Sequence, residues 1–578
     1  MKLLDSRRVT GPGLLLDGPG AVVDVALDAP TRDRAIEAWR EAATRMLAAV
    51  GWPDARLHSR YFQGGATLGF TAPPDVLYTA TELNEWAWAS AAATISGSGA
   101  PALEPDAARL RAALEVERNP ALLAIRAAAG AHGVNFLAGE ELVSVGSGAG
   151  VQVWPERELP DPAQVSWDRV HDVPIALVTG SNGKTTVVRL LAAMATEAGR
   201  AAGTTTTDGV ALEGRFLEES DFSGPSGARM LLRRPEVETA VLETARGGLL
   251  RRGLAVEHAQ AAVVTNIAAD HLGEFGVQTL AELAETKLLV ARAVGAGGRV
   301  VLNADDPVLA KAGQRVAAEL AWFTLDPANP IVRAHVAGGG TAALLDGTAV
   351  VLIERGNRTV LASADTVPIA LGGAARHNLA NALAAAAAAG ALGIDPGAIR
   401  RALERFGRSP EDNPGRANVI ELGGVHLFLD YVHNPHGMAA LAAALERYPA
   451  RRRLVLLGQA GDRDDASIRE LARAALALRP DRVVLKEMDA YLRGRAPGDV
   501  TRLMSSALID AGYPGEAIAA APTEVDAVRT ALAWAEPGDL LVLAVHQDRR
   551  AVMAFLDSLR GTGWAAGTAL PAHAPAMQ

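Results

Sequence analysis

A glycine-rich turn between an apolar run and a helical pattern constrains this chain more than any other feature. The turn lies in Ile175-Ala-Leu-Val-Thr-Gly-Ser-Asn-Gly-Lys-Thr-Thr-Val187. A strand–turn–helix unit of this kind directs backbone N–H groups and a helix N-terminus at one point, which favours phosphate oxygens. Lys184 is expected to reach the terminal phosphates, and the hydroxyl of Thr185 to bind Mg²⁺. The strict phosphate-loop pattern is not met, because Val178 stands where its first glycine belongs. The alternative without a ligand is a plain glycine turn.

Strand and helix patterns alternate from Val173 to about Phe406, which predicts a parallel sheet with crossover helices. Ligands of such sheets bind beyond the carboxyl ends of the strands. Glu243 follows one predicted strand, and the segment Thr265–His271 follows another. Mg²⁺ prefers oxygen ligands, and phosphoryl transfer needs cations against the developing charge. We therefore expect Glu243 and His271 to complete a metal shell begun by Thr185. Each alone would be an ordinary loop residue.

Length and composition limit the classes of protein. A chain of 578 residues is too long for one core and suggests three domains or so. We predict an N-terminal α+β domain over 1–165, a central domain over 166–410, a C-terminal domain over 411–560 and a flexible tail over 561–578. The stretch from Pro155 to Asp172 has the composition of a linker.

Charge and hydropathy point to a cytoplasmic enzyme. The net charge of −10, without a basic block, argues against a nucleic-acid partner. The chain has no cysteine, which excludes thiolate catalysis and thiolate metal sites. The N-terminus lacks the apolar core of a signal peptide, and the alanine-rich run from Ala382 to Ile394 is too short to span a bilayer, so no membrane is expected.

Several motifs occur together in a fixed order. They are Thr179–Thr186, Thr265–Leu272, Asn303–Pro307, His377–Asn381 and Asp430–Pro435. In content and order they resemble the Mur ligase superfamily, which includes the peptidoglycan amino-acid ligases, folylpolyglutamate synthase and cyanophycin synthetase. Further strings look like the Mur-type half of the cyanophycin synthetases: Gly203–Gly209, Glu243–Gly248, Gly461–Asp465 and Arg493–Gly498. The resemblance covers about residues 170 to 560.

The resemblance implies a fold and an activity. The fold would be a Mur-ligase-like central P-loop ATPase domain with a parallel sheet, followed by a C-terminal Rossmann-like α/β domain. The activity would be an ATP- and Mg²⁺-dependent amide ligase of the acid–amino-acid type. ATP would phosphorylate a small-molecule carboxylate, and the amine of an amino acid would attack the acyl phosphate to form an amide.

The resemblance also assigns roles in the central domain. Lys184 would hold the β- and γ-phosphates, and Thr185 and Glu243 the first Mg²⁺. Glu243 and His271 would hold a second. Lys287 matches a lysine that several Mur ligases carry as a carbamate, which would turn it into an anionic metal ligand; the alternative is a surface lysine on an ordinary helix. The remaining loop residues would surround the nucleotide: Gly180, Ser181, Asn182, Gly183 and Thr186.

Further roles fall later in the chain. Asn378 and Asn381, three apart on one helix face, would hold the adenine. Arg416 resembles a phosphate-contacting arginine, Asp430 a ribose-contacting aspartate, and His433 follows in the same loop. The α-carboxylate of the amino acid needs a cation; the candidates, which could equally form a solvated basic face, are Arg463, Lys486, Arg493 and Arg495.

The chain also departs from the cyanophycin synthetases. About 165 residues precede the phosphate loop, which is too few for an N-terminal domain and an ATP-grasp module together, so one of two active sites is expected to be missing. Three interpretations stay open: an amide ligase, a nucleotide-binding pseudoenzyme that regulates a full-length synthetase, and a poly-γ-glutamyl ligase of the folate type. A homo-oligomer, either a dimer or a tetramer, is compatible with the sequence.

Overall fold

The computed structural model describes residues 1–270 and 272–571. The chain divides into two compact units. The first comprises Met1–Asp346, Val350–Leu361 and Asn381–Ala402, and the second comprises Gly347–Ala349, Ala362–Ala380 and the chain from Leu403 onward.

The N-terminal part of the first unit is an α+β arrangement. Its elements are β1 (Lys2–Val9), β2 (Gly20–Ala26), α1 (Ala29–Ala49), β3 (Leu57–Phe62), β4 (Gly65–Thr71), α2 (Leu77–Ser96), α3 (Leu103–Glu117), α4 (Pro120–Ala131), β5 (Phe136–Ala138), β6 (Leu142–Val145) and β7 (Gln152–Pro155). An antiparallel sheet of order β1-β2-β4-β3 buries one face under α1 and α2. Trp39 of α1 is fully buried there, and its indole N–H donates to Asn84 of α2 at 2.9 Å. The polar end of this large side chain is therefore satisfied within the core.

The stretch from Pro155 to Asp172 is packed, although its composition is typical of a linker. Trp167 stacks on His132 with ring centroids 4.3 Å apart, and its indole N–H donates to the carbonyl of Pro162. Val165 and Val170 are buried in the same small core. The prediction missed this because three apolar side chains without periodicity do not reveal what they pack against.

The central part of the chain is built on one large sheet. Most of it belongs to the first unit, but residues 376–380 and 403–405, in its last two helices, belong to the second. The elements are β8 (Ile175–Thr179), α5 (Lys184–Glu197), β9 (Ala202–Thr206), β10 (Gly209–Leu212), β11 (Arg215–Glu218), α6 (Pro225–Leu232), β12 (Thr239–Glu243), α7 (Arg246–Arg252), β13 (Ala259–Val264), α8 (Leu280–Lys287), β14 (Val294–Asn303), α9 (Pro307–Ala312), β15 (Leu320–Thr324), α10 (Pro330–Ala337), β16 (Thr341–Asp346), β17 (Ala349–Glu354), β18 (Asn357–Ser363), α11 (Arg376–Ala389) and α12 (Pro396–Arg405). The strand order is β11-β10-β9-β12-β8-β13-β14-β15-β16-β17-β18.

The strands from β9 to β16 in that order pair in parallel, as predicted. β8 lies between β12 and β13 and pairs with both. It is buried along its whole length, as expected for a central strand of a parallel sheet whose two faces are covered. The carboxyl ends of β8, β12 and β13 therefore lie side by side at one edge of the sheet. This edge carries the glycine turn, Glu243 and the segment that begins at Thr265.

The second unit repeats the α/β principle. It contains β19 (Asn418–Leu422), β20 (Val425–Asp430), α13 (Pro435–Leu445), β21 (Arg453–Leu457), α14 (Asp465–Ala475), β22 (Arg482–Lys486), α15 (Asp499–Asp510), β23 (Ile518–Ala521), α16 (Glu524–Trp534), β24 (Leu540–Ala544) and α17 (Arg549–Gly561). The order is β19-β20-β24-β21-β22-β23, parallel except for the antiparallel edge strand β19. The predicted fold class, a parallel-sheet ATPase domain followed by a Rossmann-like domain, is confirmed.

Two further predictions concern the end of the chain and the membrane. Within the stretch predicted as a flexible tail, Trp564 and Ala566 are buried against the second unit, and residues 572–578 lie outside the described residues. Over residues 1–270 and 272–571, helices long and apolar enough to cross a membrane are absent.

Candidate active site

The glycine turn after β8 is a tight loop that other side chains cannot replace. Gly180 and Gly183 have φ values of +147° and +85°. A Cβ atom at Gly180 would lie 1.8 Å from the hydroxyl of Thr265, and one at Gly183 would lie 2.2 Å from the side-chain oxygen of Asn381. The positive φ values favour glycine at both positions, and at Gly180 the close approach of Thr265 also excludes a side chain. The loop is followed directly by the N-terminus of α5, as the sequence predicted.

The segment after β13 holds this loop by its backbone. The N–H of Ser181 donates to the carbonyl of Asn266, and the N–H of Asn182 donates to the Asn266 side-chain oxygen at 3.0 Å. The carbonyl of Asn182 in turn accepts from the Asn266 amide at 3.0 Å and from the Thr265 hydroxyl at 2.6 Å. Because both ends of the Asn266 amide bind the loop, Asn266 fixes the loop shape.

A second set of hydrogen bonds holds the loop at Ser181. The hydroxyl of Ser181 donates to the carbonyl of Ala268 at 3.0 Å and accepts from the N–H of Ala268 at 2.9 Å. Ser181 is buried. A loop held at two places along its length is pre-organised for whatever it binds, which lowers the ordering cost of binding.

Thr185 and Glu243 meet at the base of the loop. The Thr185 hydroxyl lies 2.8 Å from Oε2 of Glu243, and both side chains are buried. The contact joins the first turn of α5 to the carboxyl end of β12, two places that are 58 residues apart in the chain. A hydroxyl and a carboxylate thus present oxygen atoms in one buried position next to the loop, which is the ligand chemistry that Mg²⁺ prefers.

Two lysines lie at this edge of the sheet. The ammonium of Lys184 donates to the carbonyl of Ser181 at 3.3 Å, so the side chain folds back over the loop. Lys287, the last residue of α8, is buried with an exposed fraction of 4%. Burial and the nearby charge of Lys184 hold the pKa of Lys287 well below its ordinary value of 10.5, while the carboxylate of Asp270 opposes the shift. A lowered pKa is the condition that makes a neutral amine, the form that reacts with CO₂.

The helix that carries Lys287 is fixed at its start by a capping box. The Thr279 hydroxyl accepts from the N–H of Glu282, while the Glu282 carboxylate accepts from the N–H of Thr279. Arg60 of β3 pairs with the same carboxylate at 2.7 Å and donates to the carbonyl of Gly276 at 3.0 Å. The N-terminal sheet therefore helps to set the position of α8. This contribution was not visible in the sequence.

Three other residues expected at the site have different outcomes. His271 lies outside the described residues, so its predicted role as a metal ligand stays a prediction. Asn381 packs its side chain against Gly183, as the distance above shows. Asn378 belongs to the second unit, is buried, and donates to the carbonyl of Ile369 at 2.9 Å. Among the residues 1–270 and 272–571, a ready-made group of three or more histidine and carboxylate metal ligands is absent.

The second unit brings Arg416, Asp430 and Tyr431 together. The Arg416 guanidinium lies over the Tyr431 ring, 3.9 Å from its centroid. Asp430 ends β20 and accepts from the N–H of Ala417 at 2.8 Å. Burial raises the pKa of Asp430, against the opposing charge of Arg416. His433 follows in the same loop, with its Nδ1 3.2 Å from the Tyr431 carbonyl. The three residues predicted here thus share one loop region.

Lys486 does not have the environment expected of it. Its side chain is fully buried, and it pairs with Glu524, donates to the carbonyl of Ala544 at 2.6 Å, and lies 2.9 Å from Nδ1 of His546. An ammonium has three N–H donors, and here each has a partner. Lys486 is therefore neither a solvated surface charge nor a contact for a substrate carboxylate.

Arg493 and Arg495 lie in one loop region with the segment 461–465. Arg493 pairs with Asp462 at 2.5 Å. Arg495 donates to the carbonyls of Gly461 and Arg463 at 2.8 and 2.6 Å and pairs with Asp465 at 2.8 Å. The contacts of Arg495 hold this loop. The role of this loop toward an amino acid stays a prediction.

Comparisons with known proteins agree with this geometry. The sequence model of the Mur ligase middle domain family matches residues 178–389. The sequence model of the Mur ligase glutamate ligase domain family matches residues 415–545. UDP-N-acetylmuramoylalanine–D-glutamate ligase of Pelotomaculum thermopropionicum is 30% identical over 377 residues, which cover 64% of this chain and 70% of that protein. In fold, the chain is similar to E. coli FolC in complex with DHPP and ADP, with a TM-score of 0.50 and 20% identity over 67% of this chain and 89% of that one.

The two family models and the 30% identical relative place the chain in one class of protein. The chain belongs to the Mur ligase family. It is also similar to the cyanophycin synthetase of Synechocystis sp., with 38% identity over 380 residues, which cover 66% of this chain. That match covers 43% of the synthetase, so the chain spans less than half the length of the cyanophycin synthetases that it matches.

Proposed function

We propose that the protein is an ATP-dependent amide ligase. It activates a small-molecule carboxylate as an acyl phosphate and joins it to the amine of an amino acid, releasing ADP and phosphate. The observation that carries the proposal is the buried 2.8 Å contact between Thr185 and Glu243 at the base of the pre-organised loop. A plain structural turn needs no buried carboxylate at its base, whereas a nucleotide–metal site does.

The donor set fits a divalent cation, and we propose Mg²⁺. Thr185 and Glu243 would hold one ion, and Glu243 with His271 a second. Lys287, if carbamylated, would add an anionic oxygen, and its burial favours the neutral amine that a carbamate requires. When bound, the ions would neutralise charge that develops on the transferred phosphoryl group.

The chain's own residues would then act on the substrates. The side chain of Lys184 and the N-terminus of α5 would bind the β- and γ-phosphates. The γ-phosphoryl group moves from ATP to a carboxylate oxygen, and ADP leaves. The amine nitrogen then attacks the carbonyl carbon, the bond from that carbon to the phosphorylated oxygen breaks, and phosphate leaves with the oxygen. The amine gives up a proton to solvent or to a base.

For the rest of the nucleotide, we assign residues by the family resemblance and their chemistry. Arg416 would contact phosphate, since stacking on Tyr431 holds its guanidinium in a defined orientation. Asp430 would accept from a ribose hydroxyl, and His433 would lie beside it. Asn378 and Asn381 would hold the adenine.

A screen of small acids and amino acids for ATP-dependent phosphate release tests this function. We expect release only when both an acid and an amine are present. Lys184→Ala should lower kcat/KM, because it removes a charged donor to the phosphates. The expected loss of transition-state stabilisation is roughly 2–4 kcal/mol. Lys311→Ala serves as a matched control, since this lysine lies on α9 and outside the proposed site.

Two outcomes would contradict the proposal. Unchanged turnover in Lys184→Ala would reject the site. ATP binding that depends on Lys184, without phosphate release for any acid and amine pair, would favour the nucleotide-binding pseudoenzyme. Release that requires glutamate and a folate-type acid would instead favour the poly-γ-glutamyl ligase.

A further inference from the structure

Three arginines from separate segments of the first unit come together. Arg8 lies on β1, Arg229 on α6 and Arg252 at the end of α7. We call them the arginine group. Arg252 donates to the backbone carbonyl of Arg8 at 2.9 Å, and the Arg8 guanidinium lies over the ring of Tyr78, 3.8 Å from its centroid. The group was not visible in the sequence, because Arg8 is more than 200 residues away from the other two arginines.

The positive charges of this group are not balanced locally. Glu140 pairs with Arg8 at 2.7 Å and also accepts from the hydroxyl of Tyr78. Asp5 lies near Arg252 but pairs with Arg7 at 2.6 Å. Burial lowers the pKa of Arg229, and the positive charges of Arg252 and Arg8 lower it further against the opposing charge of Glu140. The group thus carries excess positive charge in the free protein.

Within the arginine group, Arg229 is the residue best suited to bind an anion. Its side chain is half-buried, and across residues 1–270 and 272–571 it makes no hydrogen bond or ion pair. A guanidinium offers five N–H donors in a planar fork that matches carboxylate and phosphate oxygens. A buried structural arginine would be expected to use these donors, as Arg233 does with the carbonyls of Leu137 and Leu142.

The arginine group lies within substrate reach of the strand end that carries Glu243. α7 begins three residues after Glu243, and the N–H of Ala245 donates to the carbonyl of Ser223 at 2.8 Å, just before α6. Both helices run on from this junction: Arg229 lies about one turn along α6, and Arg252 lies at the far end of α7, nearly two turns along. The length of α7 is about 9 Å at 1.5 Å per residue.

We propose that the arginine group binds a second anionic oxygen group of the carboxylate substrate, either a carboxylate or a phosphate. The substrate would then be a polyanion whose reacting carboxylate lies at the phosphate loop. This inference rests on the proposed function for the position of the reacting carboxylate. An anion at this place would relieve the repulsion among the arginines and satisfy the donors of Arg229.

The test measures binding of two probes to the metal-free full chain at constant ionic strength. Citrate represents carboxylates, pyrophosphate represents phosphates, and acetate is the single-charge control. Isothermal titration compares the wild type with Arg229→Gln and Arg252→Gln. Arg234→Gln is the matched control, because Arg234 is an exposed neighbour outside the group. Lys184→Ala reports binding at the phosphate loop instead.

We expect at least one probe to bind the wild type, and to bind both arginine-group variants at least about tenfold more weakly, because each loses a charge-assisted contact. Arg234→Gln and Lys184→Ala should keep the affinity. The probe that binds identifies carboxylate or phosphate as the preferred group. Thermal melting checks folding, and Arg229→Gln should melt no lower than the wild type, since it removes repulsion and no contact.

The proposal is overturned if neither probe binds, if all variants bind equally, or if only Lys184→Ala loses affinity. In the last case the probe occupies the phosphate loop and the proposed function survives. Once the acid is known, Arg229→Gln should raise its KM without changing the KM for ATP. A monocarboxylate substrate with no effect of Arg229→Gln would reject the arginine group while leaving the ligase assignment intact.

Discussion

Lys287 in the first unit and Lys486 in the second are both buried, but their surroundings differ. Lys486 has a carboxylate, a carbonyl and an imidazole around its ammonium. Within the described chain, Lys287 has no hydrogen-bond or ion-pair partner, and its nearest charges are Lys184, Asp270 and Arg246. Burial lowers the pKa of both lysines. A buried lysine with partners is part of the core, whereas a buried lysine without a partner beside a glycine loop is a candidate for chemistry.

The largest effect that separates the two lysines is on stability. Lys486→Met leaves Glu524 buried without its cation, so the free energy of unfolding should fall by about 3–5 kcal/mol. Lys287→Met removes a buried amine without a partner and should be neutral or stabilising. Denaturant unfolding of the two variants measures this. Adding Glu524→Gln to Lys486→Met should recover part of the lost stability. Equal stability of Lys486→Met and Lys287→Met would contradict the difference between the two lysines.

The next effect is on turnover. Lys287→Ala should lose activity by at least about a hundredfold, the scale seen when one electrostatic contributor is removed from an active site. A small carboxylic acid added to the assay should restore part of the rate by supplying the missing oxygens. Intact mass measured in bicarbonate buffer reports the carbamate. A bare lysine together with an active Lys287→Ala enzyme would reject the carbamate, and a bare lysine with an inactive variant would indicate a direct phosphate contact.

A smaller effect is expected at the carboxylate. Glu243→Gln keeps the shape of the side chain but removes its charge, so the Mg²⁺ concentration for half-maximal rate should rise and kcat should fall about tenfold or more. Glu236→Gln, an exposed residue in the turn before β12, is the control. An unchanged Mg²⁺ dependence in both Glu243→Gln and His271→Ala would show that neither residue is a ligand.

The smallest effect is a pH dependence of stability. The pKa of Lys287 is lower in the folded protein than its value of 10.5 in the unfolded chain. At a pH between the folded and the unfolded pKa, the unfolded chain binds a proton that the folded chain lacks. The free energy of unfolding therefore rises with pH in this window, by at most about 1.4 kcal/mol per unit. We expect metal- and CO₂-free wild type to gain stability relative to Lys287→Met as the pH rises toward 10.5. Parallel curves for the two proteins would contradict this.

The sequence predicted the parts of the site that are local in the chain. Gly180 and Gly183 follow from the turn pattern, and Glu243 follows from its position after an apolar strand, because parallel strands end at one edge of the sheet. Contacts between distant segments could not be predicted. The clasp by Asn266 and the burial of Lys486 against Glu524, 38 residues away, depend on tertiary packing. The arginine group depends on it as well, since a lone arginine in a sequence reads as a surface charge.

Transfer of ¹⁸O from the substrate carboxylate to phosphate is the direct test of an acyl phosphate intermediate. The acid found in the screen is labelled in its carboxyl oxygens, and the released phosphate is analysed by mass spectrometry. An acyl phosphate intermediate predicts one ¹⁸O atom in each phosphate, formed only with ATP and an amine present and lost in Lys184→Ala. Phosphate without label would mean that water attacks ATP directly, and the account of this protein as an amide ligase would be contradicted.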